Sequence, residues 1–249
     1  MLNNYPRINV VTKEESNNPL VLTSVGTKML IAITGIALIL FVVAHMMGNL
    51  QVFLGQESLN NYAAKLKSLG SLLWVARIGL LGVFGLHVAL TIKLCRANQL
   101  ARGGAVSDSS IAGLLGERYS HQYRYKTATV SSRFMVVSGL LILLFVGYHL
   151  AHFTFHQIGE PPKATADHRV DVYSMVIDGF GNTWISVTYI CFQIVLGFHI
   201  YHGASSALHT LGLRIHSSKK PISFLGIAIA VLVTAGNISI PLAIWAGLI

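Results

Sequence analysis

Residues 29–53 read MLIAITGIALILFVVAHMMGNLQVF, and this stretch decides the class of protein. It contains no charged residue, and it exceeds the ~20 mostly apolar residues that a helix needs to cross a bilayer. Four further apolar stretches follow, at residues 72–94, 134–155, 184–208 and 222–248. They lack the alternating pattern of β-barrel strands, so the sequence predicts an all-α integral membrane bundle of five transmembrane helices.

The composition of the whole chain agrees with this class. Of its 249 residues, 53% are hydrophobic and 11% are charged, against ~25% charged in an ordinary soluble domain. Cys191 lies inside an apolar stretch and Cys95 directly follows one, and the two form no CxxC motif, which argues against an iron–sulfur cluster in this chain. We therefore expect a single membrane domain over residues 1–249, surrounded by lipid. The net charge of +9 comes from residues between the apolar stretches, so no nucleic-acid partner is expected.

The distribution of basic residues predicts the orientation of the bundle. Lysine and arginine concentrate before the first stretch, between the second and third, and between the fourth and fifth. The positive-inside rule then places the N-terminus in the cytoplasm and the C-terminus outside. The basic segment 97–132 is predicted to be a cytoplasmic loop. Segment 60–69 alternates apolar and basic residues at helical spacing, which predicts a short amphipathic helix at the outer interface.

Four of the apolar stretches carry a histidine at a similar distance from one end. With a rise of ~1.5 Å per residue, His45 and His149 lie roughly 25 Å from the cytoplasmic ends of their helices. His87 and His199 follow roughly 23 Å of descent from the outer side, which places them near the cytoplasmic surface. We call His45 and His149 the outer pair, and His87 and His199 the inner pair. The two pairs are expected to lie roughly 15–20 Å apart along the membrane normal.

Paired histidines on facing helices are typical of haem ligation. Neutral imidazoles can hold a haem iron from both sides, and such sites are built in helix-bundle cores. Two b-type haems at this spacing could pass electrons across the bilayer. His152 and His202 lie three residues after a predicted ligand; each could replace that neighbour, or bind a propionate or a quinone. The alternative is that these histidines are hydrogen-bond partners between helices.

Basic residues near the helix ends are candidates for binding the anionic haem propionates. Lys28, Lys93 and Arg133 are placed for the inner haem, and Arg77 is placed for the outer haem. The alternative is that all four anchor helix ends by extending their charged groups to the interface.

Five segments of the chain form a combined pattern. They are Lys28…Gly35…His45…Gly48-Asn49-Leu50, Leu73-Trp74…Arg77…Gly79-Leu80…Leu86-His87, Ser132-Arg133…Ser138-Gly139…Tyr148-His149-Leu150, Gly197-Phe198-His199…His202-Gly203, and Thr210-Leu211-Gly212. In combination they resemble the membrane-anchor cytochrome b subunit of succinate dehydrogenases and fumarate reductases, of the single-chain kind with five spans and two haems.

This resemblance implies a ligand set, partners and a location. His45 with His149, and His87 with His199, would each ligate one of two haem b groups. The chain would relay electrons between an iron–sulfur subunit and a quinone, usually menaquinone, and would perform no dicarboxylate chemistry itself. A flavoprotein with FAD and the iron–sulfur subunit would dock on the cytoplasmic face. The expected location is the cytoplasmic membrane of a bacterium.

One departure from the family pattern bears on the direction of the reaction. Some fumarate-reducing relatives carry a glutamate close to the haem-ligating histidine of the fourth span. Here Gly197 precedes His199 by two positions, and the five stretches contain no glutamate, which favours succinate oxidation. Glu57 is the acid nearest the outer pair that could handle quinone protons. Two alternatives remain open: the cytochrome b of a formate dehydrogenase or hydrogenase, and a non-redox transporter with histidine proton relays.

Overall fold

A computed structural model describes residues 23–101, 134–159, 161–165, 168–212 and 220–249. These ranges form seven α-helices and one short 3-10 segment, Leu50–Leu54. The helices are α1 (Ser24–Asn49), α2 (Gln56–Ser68), α3 (Ser71–Ala101), α4 (Met135–Phe153), α5 (Val172–Gly181), α6 (Thr183–Thr210) and α7 (Lys220–Trp245). An isolated bridge between Ala164 and Val170 is the β-structure within these ranges.

Five of the helices are long and apolar enough to cross a membrane: α1, α3, α4, α6 and α7. The predicted all-α bundle of five transmembrane helices is therefore confirmed. Helix α3 continues to Ala101, five residues into the segment 97–132 that is predicted to be a cytoplasmic loop. Apolar composition predicts which part of a helix lies in lipid. Backbone hydrogen bonding can continue the same helix beyond its apolar residues. The rest of the predicted loop, residues 102–132, lies outside the described residues.

Side-chain caps fix where two of the spanning helices begin. The Thr23 hydroxyl accepts a hydrogen bond from the Gly26 amide at 3.1 Å, and α1 starts at the next residue. The Asn182 side chain accepts from the amides of Trp184 and Ile185, and α6 follows. Each cap satisfies backbone donors that the first turn of a helix leaves unpaired.

The spanning helices pack unequally. Helix α6 lies along α7 and also packs on α1 and α4, whereas the main contacts of α3 are with α1. Two glycines permit close approach to α7: a Cβ at Gly197 of α6 would overlap Thr234 of α7, and a Cβ at Gly236 of α7 would overlap Met46 of α1. Within the described part of the chain, the pairs α1–α4 and α3–α6 are not among the main helix contacts. The separation of α1 from α4 and of α3 from α6 bears on the histidine pairs, because these are the helices that carry them.

The short helices α2 and α5 cover one end of the bundle, and we call them the cap. Helix α2 agrees with the predicted short helix at 60–69, although it begins and ends earlier. Helix α5 was not predicted. Asp171 joins the two by accepting hydrogen bonds from Gln56 at 2.7 Å and Asn60 at 3.0 Å. It also accepts from the amide and hydroxyl of Ser174 in the first turn of α5.

The Asp171 carboxylate is 6% exposed, and its hydrogen bonds decide its charge state. Burial of the carboxyl raises its pKa, but hydrogen bonds from Asn60, Ser174 and Gln56 outweigh burial and lower the pKa to about 2. The group is therefore ionised at neutral pH, with its oxygens fully engaged. An ionised, hydrogen-bonded carboxylate at this position holds α2 and α5 together.

Candidate functional site

The outer pair is a direct side-chain contact between α1 and α4. The rings of His45 and His149 have centroids 5.7 Å apart and meet at 87°. His45 also stacks on Phe41 of its own helix, with ring centroids 5.5 Å apart. Two imidazoles on opposite sides of an iron have centroids ~6 Å apart, because each metal–nitrogen bond is ~2 Å long. The observed separation fits such ligation, and it also fits two rings that simply pack edge to face.

Tyr189 of α6 connects the outer pair to a third histidine. Its hydroxyl lies 3.4 Å from Nδ1 of His149 and 3.0 Å from Nδ1 of His152. Tyr189 is 5% exposed and His152 is 4% exposed, so this chain of polar groups is buried. The His152 ring is enclosed further by backbone, since a Cβ at Gly179 would lie 3.1 Å from it. The structure thus places His152 as a hydrogen-bond partner of Tyr189.

In the inner pair, His87 of α3 lies against α1. Its Nδ1 is 2.9 Å from the hydroxyl oxygen of Thr34. The next residue, Gly35, leaves room for the ring, because a Cβ there would lie 3.3 Å from the His87 Cε1. One helix therefore offers both a hydroxyl group and a flat backbone surface to the imidazole of its neighbour.

The other inner histidine has the same surroundings on a different pair of helices. His199 of α6 has its Nδ1 3.0 Å from the hydroxyl oxygen of Ser138 on α4. A Cβ at Gly139 would lie 3.5 Å from the His199 Cε1.

The hydroxyl contacts fix the level of the inner pair relative to the outer pair. Thr34 precedes His45 by eleven residues on α1, and Ser138 precedes His149 by eleven residues on α4. Eleven residues make about three helical turns, so hydroxyl and histidine share a face and lie roughly 16 Å apart along the helix. The inner histidines therefore contact α1 and α4 about three helical turns before His45 and His149.

Two packed helix units carry these residues. The first is α1 with α3, which supplies His45, His87 and Thr34. The second is α4 with α6, which supplies His149, His199 and Ser138. Each histidine pair takes one ring from each unit. The helices that bear a pair are not the ones packed closely together, and a flat macrocycle between two ligands needs such a separation.

A metal ion held by protein groups alone is a different kind of site. In the described ranges no three histidine, cysteine, aspartate or glutamate side chains are grouped around a common point. A haem iron takes four ligands from its porphyrin and needs only two axial ligands from the protein. Two facing imidazoles therefore form a complete protein contribution to haem ligation.

The predicted propionate ligands lie on the surface of the bundle. Lys28 and Lys93 are exposed on α1 and α3. Arg77 is exposed as well, and its guanidinium lies 5.1 Å from the ring centroid of Trp74, an arrangement typical of an interfacial anchor. His202 is half-buried, one turn after His199 on α6. Arg133 lies outside the described residues.

Sequence reasoning gave no role to three residues that contact the histidines: Thr34, Ser138 and Tyr189. A signal for the first two is present in the sequence. In two spans a hydroxyl residue followed by glycine stands eleven positions before the histidine, as Thr34-Gly35 and Ser138-Gly139. Tyr189 has no comparable signal, because its contacts with His149 and His152 join two helices at large sequence separation.

Comparisons of the chain with protein-family models, with curated proteins and with solved structures found no significant match.

Proposed function

We propose that this chain is a di-haem cytochrome b that anchors an oxidoreductase in the membrane and relays electrons between a partner subunit and a quinone. The observation that carries the proposal is the pairing of histidines from two helix units at two levels. The ring centroids of the outer pair are 5.7 Å apart. The inner pair lies roughly 16 Å away along the helices. When bound, haem would supply a one-electron Fe(III)/Fe(II) couple at each level.

The residues present fit such a group in three respects. The ring separation of the outer pair is close to that of two axial ligands on one iron. Three of the four rings have Nδ1 next to a hydroxyl group, a contact that leaves Nε2 for another partner. Metal-bound histidines ordinarily use one nitrogen for the metal and the other for a hydrogen bond of this kind.

This chain's own contribution would be to hold, orient and enclose the ligands. The packed units α1–α3 and α4–α6 would hold the four imidazoles, of which His45 is exposed on the surface of the helices and the other three are half-buried. The surrounding low dielectric favours neutral imidazole, the form that binds iron. The cofactor carries the redox change, while the protein sets geometry and environment.

The finer identity rests on the five-segment resemblance. It points to the anchor of a succinate dehydrogenase or fumarate reductase, with a FAD flavoprotein and an iron–sulfur subunit as partners. Menaquinone would be the quinone, and a bacterial cytoplasmic membrane the location. The absence of glutamate from the five apolar stretches supports succinate oxidation as the direction.

A second candidate is a non-redox protein whose histidines serve only as hydrogen-bond partners between helices. The contacts of His87 with Thr34 and of His199 with Ser138 favour it, because such bonds also stabilise membrane helix pairs. They satisfy only one nitrogen of each ring, however. The Nε2 atom of each ring distinguishes the two candidates, because haem ligation uses it and helix packing does not.

The test is a spectrum of the purified protein with its natural partners. The chain is extracted from its native membrane in mild detergent, and a reduced-minus-oxidised spectrum is recorded together with haem and protein content. We expect b-type bands at two haems per chain, and co-purification of a succinate-oxidising flavoprotein. A protein without haem would refute the proposal. Co-purification of a molybdenum or nickel enzyme would keep the haems and refute the succinate assignment.

A further inference from the structure

The hydroxyl groups of Thr34 and Ser138 have a defined direction of hydrogen bonding. The Thr34 hydroxyl lies 2.8 Å from the carbonyl oxygen of Leu30 and 3.1 Å from that of Ile31. A carbonyl oxygen can only accept, so the single hydroxyl proton of Thr34 is used by its own helix. The oxygen of Thr34 must then accept the proton of His87, at 2.9 Å.

The same reasoning applies to the second helix unit. The Ser138 hydroxyl lies 3.1 Å from the carbonyl oxygen of Met135, to which it donates its proton. Its oxygen therefore accepts from Nδ1–H of His199 at 3.0 Å. Both inner imidazoles are thus neutral rings with the proton on Nδ1. In this tautomer Nε2 carries no proton and has a free lone pair.

We propose that Thr34 and Ser138 are positioning residues that lock both inner histidines in the Nδ1–H tautomer, so that Nε2 of each ring is available to one haem iron. The inference rests on the proposed function and deepens it. A ring of the opposite tautomer would present a proton to the metal and could not ligate it. Each half-buried ring has a hydroxyl oxygen within hydrogen-bond distance of its Nδ1, so the two hydroxyls decide the tautomer.

The glycines that follow these hydroxyl residues complete the arrangement. Gly35 lies against the edge of His87, and Gly139 lies against the edge of His199. Each ring is therefore held on one side by a hydrogen bond and on another by backbone that carries no side chain. Fixing both tautomer and orientation before the ligand binds lowers the cost of ordering the site.

An acceptor on Nδ1–H also affects the electronic character of the ligand. Such a bond raises the basicity of the ligating nitrogen. A more basic ligand stabilises the oxidised iron and so lowers the midpoint potential. Loss of the Thr34 or Ser138 hydroxyl is expected to raise the midpoint potential of the haem held by the inner pair, and to leave the outer haem unchanged.

The experiment compares variants of the intact, membrane-extracted protein with its co-purifying subunits. Thr34→Val removes the hydroxyl at nearly constant shape, and Thr34→Ser retains it. Thr91→Val is the matched control, since the Thr91 hydroxyl bonds to the backbone carbonyl of His87 at 2.8 Å and not to the ring. Haem content, the potentiometric titration of both haems and the low-spin ferric EPR signals are measured.

We expect Thr34→Val to raise one of the two midpoint potentials and to shift the EPR signal of that haem. Thr34→Ser should restore both, and Thr91→Val should change neither. Ser138→Ala should shift the same haem, because His87 and His199 share it. If a hydroxyl-free variant loses that haem while Thr34→Ser keeps it, the loss supports the same assignment.

Two outcomes overturn the inference. The first is that Thr34→Val and Ser138→Ala retain both haems with potentials and EPR signals of the parent protein. The second is that Thr91→Val produces the same changes as Thr34→Val, which would indicate a general effect on helix packing. These failures differ from failure of the proposed function, because there the parent protein itself contains no haem.

Discussion

The inner and outer pairs each consist of two histidines, but the two pairs differ in the surroundings of their imidazole rings. In the inner pair each ring has its own hydroxyl partner, Thr34 or Ser138, whose proton is already used by a backbone carbonyl. In the outer pair His149 shares the Tyr189 hydroxyl with His152, and His45 stacks on Phe41. The hydrogen bonds of the inner histidines therefore end at backbone carbonyls of α1 and α4. Those of the outer pair extend through Tyr189 to His152, which lies beside α5 of the cap.

This difference places the same side chain, histidine, in two hydrogen-bonding environments. The proposed Nδ1–H tautomer of the inner rings rests on hydroxyl groups that also contact backbone carbonyls. In the outer pair, Tyr189 can donate to only one of its two histidine neighbours and must accept from the other. The outer pair is consequently the more adaptable of the two, and the following predictions test that contrast.

The largest expected effect comes from removing one ligand at each level. His45→Ala should lower the haem content from two per chain to one by removing the outer haem, and His87→Ala should remove the inner haem. Each variant should therefore lose a different one of the two midpoint potentials. Haem content by pyridine haemochrome and a potentiometric titration provide the measurement.

The matched control is His209→Ala, since His209 is exposed at the end of α6 and belongs to neither pair. It should keep both haems. If His45→Ala and His87→Ala lose the same haem, the assignment of histidines to two levels is wrong.

The next effect concerns Tyr189, which contacts His149 of the outer pair as well as His152. Tyr189→Phe keeps the ring and removes the hydroxyl that contacts His149 and His152. We expect a shifted signal for the outer haem, an unchanged inner haem, and a loss of about 1–3 kcal/mol in stability from the unpaired, buried His152. EPR and thermal unfolding in detergent measure these effects.

Tyr148→Phe is the control for this variant, because Tyr148 also packs on Tyr189, with ring centroids 5.7 Å apart. It should leave both haem signals in place. A change in the inner haem of Tyr189→Phe would show that the two levels are coupled through α6 rather than independent.

Much of this architecture is predictable from the sequence, because the information that determines it lies within single segments. Uncharged stretches long enough to cross lipid must form helices, because the backbone has no other partners there. Distance along a helix follows from residue number, so the levels of His45 and His87 follow from counting. Both kinds of information are contained in single segments, and the five helices agree with the structure.

The remaining features depend on contacts between distant segments. Tyr189 reaches two histidines that precede it by 37 and 40 residues, and nothing near it in sequence indicates this. Helix α5 was missed because it is joined to the rest of the chain by long-range contacts, such as the bond of Asp171 to Asn60 across 111 residues. The Thr34-Gly35 and Ser138-Gly139 dipeptides could have been found by aligning the two helix units on their histidines.

The cap next to the outer pair should respond to acid. The pKa of Asp171 is about 2 in the folded protein and lies below its ordinary value of 3.8. A carboxylate with a lowered folded-state pKa stabilises fully above its unfolded pKa, and that stabilisation is lost as the pH falls from about 4 to 2. We expect a loss of about 1–2 kcal/mol in this window, after allowing for solvent screening.

Limited proteolysis of the cap between pH 5 and 2.5 provides the measurement, with Asp171→Asn as the variant. The amide cannot ionise and cannot accept all the hydrogen bonds, so this variant should be less stable at pH 5 and should show a flatter pH dependence. An equal pH dependence in both proteins would mean that another acid controls the cap.

The smallest effect distinguishes the two halves of the inner pair. A Cβ at Gly35 would lie 3.3 Å from His87, whereas a Cβ at Gly139 would lie 3.5 Å from His199. The first distance is tighter than ordinary contact, so Gly35→Ala should push the His87 ring away by a few tenths of an ångström at a cost of about 1 kcal/mol.

Gly139→Ala should be tolerated, and Gly85→Ala, where an added Cβ meets nothing within 4 Å, is the control. We expect the inner haem signal to shift in Gly35→Ala and to stay in place in the other two variants. Equal shifts in Gly35→Ala and Gly139→Ala would indicate that both rings are held mainly by their glycine contacts.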